Sequence, residues 1–218
     1  MNPSDASPEY RSKVATQVFI LPGMGGDHLM YPDPWPGLPG AVLLDWPAYR
    51  EEDSLEAMAV SVIEAADIPD GAVVIGSSLG GMVACEIARL RKLRGLVLLG
   101  SAEQPGEVSR LLRVLHPLAD YTPFEFLQAA SGKLPHDLTQ MFARSEAPFI
   151  RAMCRAIFRW PGFSAPGPVP LRIHGRHDHI IPPPDDPDLL LDGGHLIAMT
   201  HARECVGFLQ GWLPSCPS

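Results

Sequence analysis

Residues 72–88 read AVVIGSSLGGMVACEIA, and the rest of the chain can be interpreted outward from this stretch. It opens with four apolar residues, two of them consecutive valines, which is typical of a buried strand that ends at Gly76. A helical spacing follows, apolar except for one glutamate, at Leu79, Val83, Glu86, Ile87 and Leu90. The segment Gly76-x-Ser78-x-Gly80 lies between the two patterns, so a sharp strand–turn–helix junction is predicted here.

This turn predicts a reactive serine at position 78. A serine on so sharp a turn points its hydroxyl away from the sheet, and Gly76 and Gly80 avoid collisions with the strand or a substrate. The amides at the start of the following helix favour negative charge at the same place. Ser78 is therefore the predicted nucleophile, whereas Ser77 comes one position early and points elsewhere. The alternative is a glycine-rich turn without chemistry, and the flanking elements and the partner residues below argue against it.

The composition limits the classes of protein that this chain can belong to. Its 218 residues suit one domain with an insertion, and 46% hydrophobic residues is typical of a globular protein. A net charge of −8 and the lack of a long Lys/Arg run argue against nucleic acid as a partner. Residues 1–13 do not resemble a secretory signal, and no apolar run is long enough to span a membrane. We expect a cytoplasmic protein without disulfides, whose free cysteines are Cys85, Cys154, Cys205 and Cys216.

Apolar runs alternate with helical patterns outside the middle of the chain. Strands are predicted at residues 14–21, 41–45, 72–75, 96–99, 169–174 and 189–191. Ser54 can cap a helix whose apolar stripe is Leu55, Met58, Ala59, Val62, Ile63 and Ala66. Continuous apolar strands that alternate with helices predict an α/β fold, in which helices cover both faces of a parallel sheet.

Residues 103–164 show no strand pattern and instead contain helical stripes separated by prolines. The stripes are centred on residues 108–115, 124–127, 138–142 and 150–158. We therefore predict a helical lid at residues 103–164, inserted into a core of residues 1–102 and 165–218. Three arginines in the last stripe are interpreted as a solvated face rather than an anion site: Arg151, Arg155 and Arg159.

A serine hydroxyl needs a base to take its proton, and the base needs a carboxylate to orient it. Sites in parallel sheets form beyond the carboxyl ends of the strands, so the partners are expected after later strands. Asp178 follows the predicted strand at 169–174, and His195 follows the one at 189–191. The resulting order of serine, acid and histidine is one in which such triads occur.

With these residues the chain resembles the α/β-hydrolase superfamily, and in particular its small lidded serine carboxylesterases. The resemblance rests on GSSLG at residues 76–80, on HGRHD at 174–178 with Pro182 after it, and on GGH at 193–195. It implies an α/β-hydrolase fold, with a mostly parallel sheet, helices on both faces and an inserted helical lid. The antiparallel strands with which the family often begins are not evident.

The resemblance implies a role for each matching residue. Ser78 matches the nucleophile, His195 the general base and Asp178 the acid that holds the imidazole. Glu103 is a rival for the acid, because it follows the strand at 96–99, after which some members of the family carry theirs.

The resemblance also implies an oxyanion hole made of two backbone amides. One belongs to Leu79, directly after the nucleophile. The other belongs to Met24, because residues 22–24 lie where the family often has His-Gly-X; here Pro22 replaces the histidine. Gly23 and His28, in and after this loop, are candidate substrate contacts, and solvation of the loop is the alternative for His28.

A metal site at the histidines around Asp178 is the alternative to the acid loop. His174, His177 and His179 bracket this residue. Their spacing misses the H-x-H-x-D-H pattern of binuclear zinc hydrolases, which would need histidine where Arg176 stands. We therefore predict no metal.

The function expected from these residues is hydrolysis of small to medium hydrophobic carboxylic esters through an acyl-enzyme, without a cofactor. The expected partner is a small-molecule ester rather than nucleic acid or a membrane, and the protein is expected to be a monomer or homodimer. The same scaffold supports thioesterases, C–C hydrolases, cofactor-free peroxidases and hydroxynitrile lyases. A lyase would want a cation near the leaving group, and Lys133 of the lid is the only lysine placed to reach; a surface role for Lys133 is favoured over this one. A non-catalytic small-molecule receptor is the alternative from a different class.

Overall fold

The computed structural model describes residues 16–108, 146–164 and 167–213. Its centre is a six-stranded sheet, ordered β2-β1-β3-β4-β5-β6, in which every neighbouring pair is parallel. The strands are β1 (Val18–Leu21), β2 (Ala41–Leu43), β3 (Val73–Ser77), β4 (Gly95–Leu99), β5 (Leu171–Gly175) and β6 (Leu189–Leu191). The predicted α/β class and its parallel sheet are confirmed.

The direction in which the sheet grows reverses between β1 and β3. The chain first adds β2 on one side of β1, then returns to the other side and adds β3 to β6 in sequence. Ligands of open parallel sheets bind at such a switch point, beyond the carboxyl ends of the strands. The residues that follow these two ends are Pro22 and Ser78, so the topology brings the predicted oxyanion loop beside the predicted nucleophile.

Five α-helices lie in the described part of the chain. They are α1 (Leu55–Ala66), α2 (Leu79–Leu90), α3 (Ala147–Arg159), α4 (Ile197–Thr200) and α5 (Ala202–Trp212). The cap predicted for α1 is present, because the Ser54 side chain accepts a hydrogen bond from the Ala57 amide at 3.1 Å. The buried face of α1 is the predicted stripe except for its last member, and comprises Leu55, Met58, Ala59, Val62 and Ile63.

The central strands are apolar along their whole length because both faces of the sheet are covered. Every residue of β1, β3 and β4 is buried. Buried residues of α1 and α2 belong to the same hydrophobic core as these strands. This packing fixes the carboxyl ends of β1, β3 and β4 relative to one another, and the functional site forms from the segments that leave those ends.

Helix α3 coincides with the last of the four helical stripes predicted for the lid. The other three stripes fall on residues 109–145, outside the described residues, apart from Val108, which is buried. The indole N–H of Trp160, directly after α3, donates to Glu86 Oε1 of α2 at 2.7 Å, and both residues are buried. This bond ties the end of α3 to the helix that follows the nucleophile.

The cysteines within the described ranges are free thiols. Cys85 and Cys205 are buried and Cys154 is half-buried, while Cys216 lies outside those ranges. Burial raises the pKa of the Cys85 and Cys205 thiols, so both are held protonated. Across the described residues, every helix is too short or too polar to cross a lipid bilayer.

Candidate active site

The junction between β3 and α2 holds Ser78 in a backbone conformation that side chains rarely adopt. Its φ is 52° and its ψ is −118°, and it occupies the N-cap position of α2 without a capping bond from its side chain. The two glycines of the motif allow this close packing. A Cβ on Gly76 would lie 2.2 Å from the Gly80 carbonyl, and one on Gly80 would lie 2.3 Å from the Pro22 oxygen. A strained residue of this kind is retained where the surrounding structure over-determines it, typically at functional sites.

The structure brings together the three side chains that the sequence singles out. His195 lies in the loop after β6, and its Nε2 is 2.9 Å from the Ser78 hydroxyl oxygen. Its Nδ1 is 2.8 Å from Oδ2 of Asp178, in the loop after β5. Both His195 and Asp178 are buried. The contacts are those required of a nucleophile, its base and an orienting acid.

The carboxylate of Asp178 is held by its own loop. Its Oδ1 accepts hydrogen bonds from the amides of Ile180 and Ile181, both at 2.9 Å, while Oδ2 contacts His195. The two amide donors fix the orientation of the carboxylate and so the direction in which its second oxygen points. The support of Oδ1 is local, because both amide donors lie within three residues of the acid.

The end of β4 supports the site with two residues that the sequence analysis missed. Ser101 is fully buried, and its hydroxyl donates to the Ser78 carbonyl oxygen at 2.6 Å. Gly100 has a φ of 50°, and a Cβ there would lie 3.1 Å from the His195 carbonyl oxygen. Their position in the sequence could have identified them, because Gly100 and Ser101 directly follow a predicted strand, at the edge of the sheet where sites form.

The loop after β1 is held at Gly23 from both sides. The Gly23 N–H donates to Met30 Sδ at 3.0 Å. The Gly23 carbonyl oxygen accepts from the Trp46 indole N–H at 3.0 Å and from the Gly26 amide at 3.1 Å. Met30 and Trp46 were not identified from the sequence, where neither belongs to a motif. The Gly23 amide is engaged with Met30, so the next amide in the loop, that of Met24, is the one available to a ligand.

Helix α3 provides an apolar wall beside this loop. The Phe149 ring lies 5.4 Å from that of Trp46 and 6.1 Å from that of Tyr49, measured between ring centroids. The Met24 and Cys154 sulfur atoms are 3.7 Å apart. The described part of the predicted lid therefore contacts the loop after β1 directly, at Met24.

Glu103, the rival acid, is engaged elsewhere. Its carboxylate lies 3.4 Å from Arg172 of β5, which also pairs with Glu107 and donates to the Ser101 carbonyl oxygen at 3.0 Å. Burial raises the pKa of Glu103, and the nearby Arg172 opposes this shift. In the described structure Asp178, and not Glu103, makes the hydrogen bond to the His195 ring.

The histidines around Asp178 lie in different environments. His174 is fully buried, while His177 and His179 are exposed, and His177 Nε2 lies 2.9 Å from Asp192. Burial, with the nearby Arg172, lowers the pKa of His174 to about 4, so this residue is neutral at physiological pH. These three side chains do not form a ligand set.

A different group has the residue types of a metal site. Asp27, His28 and Asp45 each offer one ligand atom, and these atoms all lie within 4.8 Å of one another. His28 and Asp45 are exposed, and His28 Nδ1 is 2.8 Å from an Asp45 carboxylate oxygen. The His28 ring, in the segment after β1, is therefore oriented by Asp45.

The chain belongs to the alpha/beta hydrolase family, whose sequence model matches residues 18–208. The resemblance seen in the sequence is thereby confirmed for the family as a whole. None of the curated proteins matches the sequence.

Solved structures with the same fold carry several activities in their names. An esterase from Thermogutta terrifontis is 18% identical, with a TM-score of 0.69 over 94% of this chain and 93% of that chain. The RedJ thioesterase of prodiginine biosynthesis in Streptomyces coelicolor is 20% identical, with a TM-score of 0.69 over 90% and 89%. Epoxide hydrolases from metagenomes of hot environments are 15% identical, with a TM-score of 0.66 over 91% of both chains. At these identities the likeness shows the fold and not the reaction.

Proposed function

We propose that this protein is a serine hydrolase with carboxylesterase activity, in which Ser78, His195 and Asp178 form a catalytic triad. The observation that carries the proposal is the pair of hydrogen bonds that His195 makes, 2.9 Å to the Ser78 hydroxyl and 2.8 Å to the Asp178 carboxylate. The strained backbone of Ser78 and membership of a hydrolase family support the same conclusion.

Acylation begins when Ser78 Oγ adds to the ester carbonyl carbon. The hydroxyl proton passes to His195 Nε2, and the ionised Asp178 stabilises the imidazolium that results. The electron pair of the carbonyl double bond moves to its oxygen, which then carries negative charge. We propose that the Leu79 and Met24 amides donate to this oxyanion, helped by the positive end of α2.

Acylation ends when the first tetrahedral intermediate collapses. His195 gives its proton to the departing alkoxide, the alcohol leaves, and Ser78 carries the acyl group as an ester. In deacylation, water adds to the acyl carbon while His195 takes its proton. The second tetrahedral intermediate then collapses as His195 returns that proton to Ser78 Oγ, which releases the carboxylic acid and regenerates the free hydroxyl. These steps draw on side chains of this protein and on water.

The preferred substrates are proposed to be small to medium hydrophobic esters. The apolar wall formed by Phe149, Trp46 and Tyr49 beside the oxyanion loop supports this preference. Gly23 and the half-exposed His28 are proposed to contact the substrate at the rim of the site.

Labelling with a fluorophosphonate tests the proposal, read by intact mass and peptide mapping. Turnover of p-nitrophenyl acetate, butyrate and octanoate is measured on the same preparation. The expected result is one adduct, on Ser78, together with turnover, and the order of the three esters then measures how much acyl chain the apolar wall accepts. Folded protein that takes no label and turns over no ester would contradict the proposal and favour a small-molecule receptor.

A further inference from the structure

The peptide group between Gly23 and Met24 contains both the Gly23 carbonyl, which protein donors hold, and the Met24 N–H, which is proposed to bind the oxyanion. In a trans peptide the carbonyl and the N–H lie in one plane and point in opposite directions. Whatever holds the Gly23 carbonyl oxygen therefore sets the direction of the Met24 N–H. This is the amide proposed above as the second oxyanion donor, so the partners of the Gly23 oxygen bear on the chemistry of the site.

Two donors hold that oxygen, and they come from different parts of the fold. The Gly26 amide, at 3.1 Å, belongs to the same turn and moves with it. The Trp46 indole N–H, at 3.0 Å, comes from the segment after β2 and anchors the turn to the body of the protein. The Phe149 ring, 5.4 Å from that of Trp46, packs against the indole from α3.

The loop lies against the nucleophile. A Cβ on Gly23 would be 3.6 Å from Ser78 Cβ and 3.6 Å from the Ser77 carbonyl oxygen. Within the part of the chain that the structure describes, neither the Met24 nor the Leu79 N–H donates to a protein acceptor. Both amides are thus left for a ligand beside Ser78.

We propose that Trp46 is a positioning residue for the oxyanion hole. Its indole N–H fixes the Gly23 to Met24 peptide plane and so aims the Met24 N–H at the oxygen that becomes negative. The proposal rests on the serine-hydrolase function above. It adds a residue distant in sequence that acts on the transition state without touching the substrate carbonyl.

The chemistry predicts which kinetic constant changes. The carbonyl oxygen gains its charge only when Ser78 Oγ has added and the proton has moved to His195 Nε2. A misdirected Met24 amide therefore weakens the transition state more than the bound ester, and lowers kcat more than it raises KM. A trifluoromethyl ketone, whose adduct with Ser78 also carries an oxyanion, loses affinity by the same factor.

The test compares Trp46→Phe with Trp160→Phe, because both remove one indole N–H and keep an aromatic ring. The indole N–H of Trp160 donates to Glu86 of α2, whereas that of Trp46 donates to the oxyanion loop. For p-nitrophenyl butyrate we expect kcat of Trp46→Phe to fall by about 10- to 100-fold. This decrease is no larger than the one caused by removing a whole oxyanion donor. In the same variant we expect KM to change less than about threefold and the Ki of the trifluoromethyl ketone to rise by the factor by which kcat falls. Trp160→Phe should stay within about threefold of wild type in kcat, KM and Ki.

A second variant separates the N–H from the shape of the ring. Benzothienylalanine introduced at position 46 replaces the N–H by sulfur and keeps the bicyclic ring against Phe149, so it should reproduce the kinetic loss with an unchanged melting temperature. Equal constants in Trp46→Phe and Trp160→Phe, or a rise in KM without a change in the ketone Ki, would overturn the role of Trp46. A wild-type protein that neither turns over ester nor binds the ketone would instead overturn the proposed function itself.

Discussion

The two backbone segments that flank the Ser78 side chain are built in different ways. The turn from residues 76 to 81 is determined by residues adjacent in sequence, since a Cβ on Gly76 would collide with Gly80 and Gly81. The loop from residues 22 to 30 depends in addition on a distant residue, because its Gly23 carbonyl is held by Trp46 as well as by Gly26 of the same loop. The first segment has a recognisable sequence motif and the second does not.

The difference teaches where local sequence is sufficient for a functional site. A turn that only glycine permits imposes its residues at fixed spacing, so the motif carries the geometry with it. A loop held by a side chain from a distant segment, as Trp46 holds Gly23, requires no fixed spacing between the residues in contact. Its geometry becomes visible only when the sheet has brought residues 23 and 46 together.

The largest expected effect falls on the turn itself. Ser78→Ala removes the nucleophile and should lower kcat on p-nitrophenyl butyrate by on the order of a million-fold. The adjacent Ser77→Ala is the matched control. Ser77 is buried at the end of β3 and makes no contact with His195, so its variant should stay within about tenfold of wild type. The local interpretation of the turn fails if Ser77→Ala loses the activity and Ser78→Ala keeps it.

The next largest effect is expected from a substitution of Asp178, which is held by its own loop as the turn at residues 76–81 is. Asp178 is oriented by amides of its own loop, whereas Glu103 is paired with Arg172 from another strand. Asp178→Asn should lower kcat by about 10,000-fold, because an amide no longer stabilises the imidazolium or its tautomer. Glu103→Gln should cost less than about tenfold. Steady-state kinetics of the two variants decide, and the reverse ranking would make Glu103 the acid.

A substitution at Gly80 should disturb both the turn at residues 76–81 and the loop at residues 22–30. Its added Cβ would lie 2.3 Å from the Pro22 oxygen and 2.7 Å from the Leu21 oxygen, both of them backbone atoms. Gly80→Ala should therefore lower the free energy of unfolding by about 3 kcal/mol. Gly207→Ala on α5, where a Cβ meets nothing within 4 Å, should raise it by about 0.5–1 kcal/mol. Urea unfolding of both variants measures the difference, and equal changes would show that the two segments are not in such close contact.

The smallest expected effect is a pH dependence that originates at His174. Its folded pKa of about 4 lies below the 6.5 of an unperturbed histidine, so between these two values the unfolded chain binds a proton that the folded chain does not. The stabilisation is therefore complete above pH 6.5 and is lost as the pH falls towards 4. Between pH 7 and 5 this one group should lower the free energy of unfolding by about 2 kcal/mol.

Denaturant unfolding at pH 7 and pH 5 tests this dependence against His174→Gln. The substituted protein should lack the part of the pH slope that His174 contributes, whatever its stability at pH 7. Two charged neighbours also affect the pKa of His174: Arg172 lowers it and Asp178 raises it. Identical slopes in both proteins would show that His174 is not held neutral.

The sequence predicts the sheet well because its strands are buried on both faces. All six predicted strands are present, and the helices capped at Ser54 and following Ser78 begin where the pattern indicates. The three side chains at Ser78, Asp178 and His195 follow from the rule that sites form beyond strand carboxyl ends. Their proximity could therefore be expected before the structure was known.

Other supports of the site could not be predicted, because they depend on packing between distant segments. The bond from Trp46 to Gly23 spans 23 residues, and that from Ser101 to the Ser78 carbonyl also spans 23. Met30 sulfur as the acceptor of the Gly23 amide has no sequence signature at all. These contacts require the register of β1 to β4, which a sequence pattern does not specify.

The acyl-enzyme itself provides the most direct test of the central claim. Wild-type protein mixed with p-nitrophenyl acetate, quenched in acid within the first turnover and digested, should carry one acetyl group on the peptide that contains Ser78. Ser78→Ala treated in the same way should carry none, and Ser77→Ala should carry one. Turnover of the ester with no acetyl group on Ser78, or with the group on another residue, would contradict the mechanism proposed here.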